Sequence, residues 1–124
     1  MISHTTLHVS DIDKAKEFYK KALAPLGYVA DKEYAEYKVV GFKSGEGNHD
    51  FWLHGNECKQ TTHLAFTAPT QKAVDEFYKA AIAAGAKDNG APGPRPDYGP
   101  NYYAAFFLDA DGNNIEAAYF GEQS

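Results

Sequence analysis

Hydrophobic positions along the chain alternate over a few residues, switch to helical spacing, and then do the same again. Leu7 and Val9 mark one short alternating segment and Leu64 and Phe66 another, and each reads as a half-buried strand. Behind the first, Ala15, Phe18, Tyr19, Ala22, Leu23 and Leu26 follow the i, i+3, i+4, i+7 spacing of an amphipathic helix. Sliding the sequence by 59 positions, the distance from His4 to His63, lays these onto Val74, Phe77, Tyr78, Ala81, Ile82 and Gly85. Ser10 or Asp11 can cap the first helix and Thr70 the second, because their side-chain oxygens accept from unpaired amides of the opening turn. Gly27 and Gly85 stand where the helices end.

Further strands are expected near Gly27–Ala30, Tyr34–Lys43 and Asp50–His54, with a glycine-rich turn over Ser44–Asn48. The second half follows suit near Ala86–Asn89, Tyr102–Leu108 and Asn113–Phe120, the last two joined by Asp109-Ala-Asp-Gly-Asn113. The pattern predicts an α+β fold of two strand-helix-strand-strand-strand modules, about 1–55 and 61–121, joined by a polar connector over 55–60. Each module is near the lower size limit for independent stability, so the two are expected to pack together as one domain.

Composition narrows the function classes. With 44% hydrophobic and 23% charged residues among 124, the chain has the profile of a folded globular domain. No apolar run approaches the roughly 20 residues of a membrane span, and Met1–Val9 lacks the basic start and apolar stretch of a signal peptide, so a cytoplasmic protein is expected. Cys58 is the sole cysteine, which excludes an internal disulfide and a cysteine-based metal site. A net charge of −5 without a basic stripe argues against nucleic acid as a partner.

Alternation also sorts the chemistry by face. If Leu7 and Val9 cover a helix, then His4, Thr6 and His8 point the other way, as do His63, Ala65 and Thr67. In the last strand Ile115, Ala117 and Tyr119 form one row, which leaves Asn114, Glu116, Ala118 and Phe120 on the opposite side. Two histidines and a carboxylate therefore share the non-helix face. Alternation alone leaves open whether they are structural groups or ligands of a divalent metal with free positions for substrate.

The opening His4-Thr-Thr-Leu-His-Val-Ser-Asp with Phe18-Tyr19, then His63-Leu-Ala-Phe with Phe77-Tyr78, and Asp109-Ala-Asp-Gly-Asn-Asn-Ile-Glu116 together resemble the vicinal oxygen chelate superfamily. That is the glyoxalase, bleomycin-resistance and extradiol-dioxygenase group, and the resemblance covers nearly the whole chain. It implies paired βαβββ modules that curl into a cleft. It also implies metal ligands at His4, His63 and Glu116, with Glu116 at the centre of the chemistry and the metal one of Zn, Mn, Ni or Fe. Matching Phe51-Trp-Leu-His54 to Ile115-Glu-Ala-Ala118 places Trp52 where a fourth ligand would stand, and an indole cannot ligate. Glyoxalase I chemistry, which uses all four positions, is therefore disfavoured. Lyase, isomerase or transferase chemistry on a small oxygen-chelating substrate is the expectation, and ring-cleaving dioxygenation a minor alternative. The alternative from another class is a metal-free protein that sequesters an aromatic or glycopeptide-like compound, as bleomycin-resistance members do; Trp52 suits it.

Other residues carry weaker signals. His8 and His54 lie one strand repeat, roughly 6.5–7 Å, beyond His4 and Trp52 and read as polar cleft lining. His49 beside its turn is expected to be solvated. Asp109-Ala-Asp-Gly starts like a calcium loop, but its glycine comes too early and Phe120 stands where the closing glutamate belongs, so a hairpin turn is expected. The segment Gly90–Asn101, rich in proline and glycine, is expected to loop over the surface and to offer Arg95 and Tyr98, with Tyr103 of the Tyr102-Tyr103 pair just beyond, for substrate selection beside Trp52. Small modules with open sheet edges, and the resemblance itself, point to a homodimer.

Overall fold

Strand β1 (Thr5–Val9) buries Leu7 and Val9 and leaves Thr6 and His8 on its other side, the parity expected from alternation. These are features of a computed structural model, which describes residues 2–45, 47–56 and 60–121. Helix α1 (Ile12–Leu23) is capped by Asp11 rather than Ser10, whose alternatives the sequence left open: the Asp11 carboxylate accepts from the Lys14 amide at 3.1 Å. Lys20 and Lys21 in its last turn complement the negative end of the helix dipole. A 3₁₀ turn over Ala24–Leu26 then stops at Gly27, whose φ of 87° a side chain would resist.

Strands β2 (Tyr28–Tyr34), β3 (Val39–Ser44) and β4 (His49–Gly55) complete the first module. The single strand expected over Tyr34–Lys43 is divided. A 3₁₀ turn at Ala35–Tyr37 and a left-handed Lys38 (φ 55°) reverse the chain between β2 and β3. In the second module β5 (His63–Thr67) leads to α2 (Gln71–Ala83), capped by Thr70 through a 3.0 Å bond from the Ala73 amide, and then to β6 (Lys87–Pro94), β7 (Tyr102–Leu108) and β8 (Asn114–Phe120). Strand β6 corrects the expectation of a loop over Gly90–Asn101, since the chain stays paired through Pro94 and only residues 95–101 cross the surface. The sheet order β5-β8-β7-β6 explains this: β6 is an edge, where a proline forfeits no ladder bond, and two register shifts accommodate Gly90 to Gly93.

The other sheet runs β1-β4-β3-β2, so the modules repeat one topology, with β1 parallel to β4 and β5 parallel to β8. Their helix-covered faces meet in one core. Phe18 packs edge-on to Phe107 at 5.5 Å and Phe51 to Phe66 at 5.1 Å, each pair crossing from one module to the other. Burying a phenylalanine stabilises by about 1.5–3 kcal/mol, so these contacts couple the modules. A polar clasp joins them as well. The buried Tyr19 hydroxyl donates to Asp109 Oδ2 at 2.6 Å, and Asp109 also accepts from the amides of Asp111 and Asn113 and from Asn113 Nδ2. Burial first and Asp109 second push the Tyr19 phenol well above its ordinary pKa. With Gly112 at φ 87°, Asp109 organises a hairpin turn. No helix among the described residues is long and apolar enough to cross a membrane.

Candidate metal centre

Because the helix faces meet inside, the other face of each sheet is turned outward, and the candidate ligands lie there. In the second module His63 pairs with Asn114 and Ala65 with Glu116 across β5 and β8. Glu116, its side chain only 5% exposed, approaches His63: Nε2 lies 3.1 Å from Oε1. The other ring nitrogen, Nδ1, donates to the Asn114 carbonyl at 2.9 Å. A carbonyl can only accept, so Nδ1 carries the hydrogen and Nε2 presents its lone pair to a carboxylate unless a cation or a second proton stands between them.

Tyr102 completes this corner by donating its hydroxyl to Glu116 Oε2. Burial and then that hydrogen bond push the phenol up to about 12, so it stays protonated at neutral pH and holds the carboxylate in place. Phe106, paired with Glu116 across β7 and β8, lies nearly parallel to the His63 ring at 6.3 Å. The Arg95 guanidinium sits 5.5 Å from the Phe106 centroid while bonding the Ala91 carbonyl at 2.7 Å, and Tyr98 packs on Tyr102 at 5.4 Å. Arg95 and Tyr98 thus border the His63–Glu116 corner. Tyr103 does not: its hydroxyl donates to Asp75 of α2 at 2.6 Å on the helix face. Tyr102 is the site residue that the sequence reading passed over, although counting back from the buried Phe107 by twos assigns Tyr103 to the core side and Tyr102 to the open one.

The first module arranges the same rung differently. Thr6 pairs with Trp52 as Ala65 pairs with Glu116, so the register puts Trp52 at the position Glu116 holds in the second sheet. The indole lies against Gly41, where an added Cβ would sit 2.6 Å from the ring, and Nε1 donates to the His49 carbonyl at 3.0 Å. Tyr34 lies nearly parallel to it, 16° apart at 6.5 Å. His49, expected to be solvated, bonds Asp31 instead and packs on Trp52 at 5.7 Å; that bond holds the Asp31 carboxyl below its usual range.

His4 lines a shallow depression of about 340 Å³ with Thr6, Val39, His49, Trp52 and His54, and its Nδ1 meets Ser3 Oγ at 3.2 Å. Among the described residues no three histidine, cysteine, aspartate or glutamate side chains gather as a metal would require. One chain therefore brings His63 and Glu116 together and leaves His4 on the other sheet. Cys58 lies outside the described residues. The two gathered donors, one imidazole nitrogen oriented through its partner nitrogen and one carboxylate oxygen, fit a divalent first-row metal.

A family model described as Glyoxalase/Bleomycin resistance protein/Dioxygenase superfamily matches residues 1–117. The chain is 29% identical over 124 residues to metallothiol transferase FosB of Shouchella clausii (strain KSM-K16), covering 93% of this chain and 77% of the relative. A crystal structure of a glyoxalase/bleomycin resistance protein from Albidiferax ferrireducens T118 superposes with a TM-score of 0.76 at 28% identity, covering 94% of this chain and 96% of that one. Lactoylglutathione lyase from Agrobacterium tumefaciens superposes at 0.69 with 22% identity, over 96% of this chain and 92% of that one, a likeness of fold alone.

Proposed function

Since the chain belongs to the Glyoxalase/Bleomycin resistance protein/Dioxygenase superfamily, we propose that it is a metal-dependent enzyme acting on a small oxygen-bearing organic substrate. His63 and Glu116 hold the metal from one chain, and His4 of a second copy supplies the third ligand. The observation that carries this reading is the His63 ring, whose Nδ1 is fixed on the Asn114 carbonyl while Nε2 faces Glu116 Oε1 at 3.1 Å. Such outer hydrogen bonds are what orient ligating histidines.

The way the chain spends its surfaces supports a second copy. Both helix faces are consumed in the shared core, so both open faces lie outward, and a single chain does not gather three ligands among its described residues. Exposed Val29, Tyr34 and Phe120 supply apolar area for a homodimer.

When bound, the metal supplies Lewis acidity, which polarises a substrate oxygen and stabilises developing negative charge. The remaining work falls to the chain's own groups. Tyr102 keeps its proton and fixes Glu116, Phe106 supports the His63 ring, and Arg95 and Tyr98 border the corner where an anionic or polar substrate would lie. The metallothiol transferase relative puts thiol transfer ahead of lyase and isomerase chemistry. A metal-free binding protein is the second reading, favoured by the Trp52 indole lying flat over Gly41. Metal analysis of protein purified without chelator, then resupplied with Zn, Mn, Ni or Fe(II), separates them. At least one metal per chain is expected in wild type, with one fewer in a chain carrying His63→Ala and Glu116→Gln, and no such difference after resupply would overturn the enzyme reading.

A further inference from the structure

Four of the five histidines, His4, His8, His49 and His54, belong to the first module, and two of them form a pair that the proposed metal centre does not use. His8 and His54 are registered partners on the parallel strands β1 and β4, so their side chains leave the sheet side by side on the open face. Their ring centroids lie 5.4 Å apart with the planes tilted by 50°. With metal–nitrogen bonds of about 2.0–2.1 Å, two imidazoles on one tetrahedral ion have centroids roughly 5 Å apart, so the pair stands close to bridging distance without a shift of the backbone.

A second observation fixes the first ring. Asn56 Oδ1 accepts from His8 Nδ1 at 3.0 Å, and the Asn56 amide is itself anchored on the Val9 carbonyl at 2.9 Å. That bond places the hydrogen on Nδ1 and leaves the lone pair on Nε2, the support a ligating histidine uses. His54, the other ring of the pair, lines the open depression beside His4 and Trp52, where a cation can reach it. We infer that His8 and His54 form a second, two-imidazole site for a borderline divalent cation such as zinc, nickel or copper, with Asn56 as the positioning residue and water in the other places.

The site is independent of His63 and Glu116, and the test uses a chain from which those two donors have been removed. Full-length protein carrying His63→Ala and Glu116→Gln is titrated with zinc alone by calorimetry, and the imidazole nitrogen resonances are followed in parallel. One equivalent is expected to bind, with shifts at His8 Nε2 and at His54. Adding His8→Gln or His54→Gln should weaken that binding by tenfold or more, and Asn56→Ala should weaken it about tenfold with no change in the fold seen by circular dichroism. Absence of zinc binding in the His63→Ala, Glu116→Gln chain would overturn the inference, as would binding that His8→Gln and His54→Gln leave unchanged.

Discussion

At the rung where β1 meets β4, Thr6 faces Trp52; at the matching rung where β5 meets β8, Ala65 faces Glu116. The neighbouring strand compensates in each case. Gly41 makes room for the indole in the first module, and Phe106 stands beside the smaller carboxylate in the second. Two copies of one backbone thus carry an aromatic platform on one sheet and a polar, ligand-bearing corner on the other. The ladder fixes where a side chain projects and is indifferent to its chemistry, so the site's character is decided by one side chain and the partner that fills or vacates the adjacent space.

The comparison breaks most sharply at Glu116. Glu116→Gln keeps the shape and removes the charge, so metal affinity measured by calorimetry should fall about a hundredfold or more, while thermal unfolding changes little. His63→Ala should do the same. Trp52→Gln on the equivalent rung should leave affinity within a fewfold; a loss as large as that at Glu116 would end the distinction between the sheets.

The complementary fit of the first sheet is tested at Gly41. An alanine Cβ would meet the Trp52 ring at 2.6 Å, so Gly41→Ala should lower stability in denaturant by about 1–3 kcal/mol, with Trp52→Ala in the same chain relieving the clash. Tyr19→Phe removes the clasp between modules and leaves a donor missing at buried Asp109, a loss of about 1–3 kcal/mol that chemical denaturation would read.

A smaller effect appears with pH. The folded-state pKa of Tyr102 is raised to about 12, above the ordinary value of about 10, so its contribution is complete below pH about 10 and is lost as pH rises towards 12. Tyr102→Phe should therefore flatten part of the alkaline limb of a stability profile and weaken metal binding about tenfold at neutral pH. An alkaline limb and affinity identical to wild type would remove Tyr102 from the site. Smallest of all, Cys58→Ser in the connector is expected to leave thermal midpoint and metal affinity unchanged.

Periodicity made the repeat, the strand-helix openings and the Thr70 cap legible, because each rests on near neighbours in sequence. The shared alternation of Phe51–His54 with Ile115–Ala118 matched Trp52 to Glu116, which the pairing register reproduces. What escaped depends on partners. The reversal at Ala35–Lys38 uses a left-handed lysine where glycine or asparagine would have signalled it, and the prolines of β6 are tolerated because that strand is an edge of its sheet among the described residues. His49 reads as a turn-side residue until β2 brings Asp31 against it. Alternation tells which face His4 shares with His63, but it does not tell whether they meet, and among the described residues one chain does not gather them with Glu116.

The prolines of β6 bear on how many copies can assemble. Pro92 and Pro94 lie on one outer edge, and on the other, β2 carries Lys32 and Glu33 beside a register shift at Ala30. Neither rim offers the regular row of amides that an incoming strand needs to dock. Lengthening a sheet at β6 or β2, a mode of association that has no natural stopping point and ends in fibres, is therefore disfavoured, whereas a twofold arrangement through outward faces would close on itself.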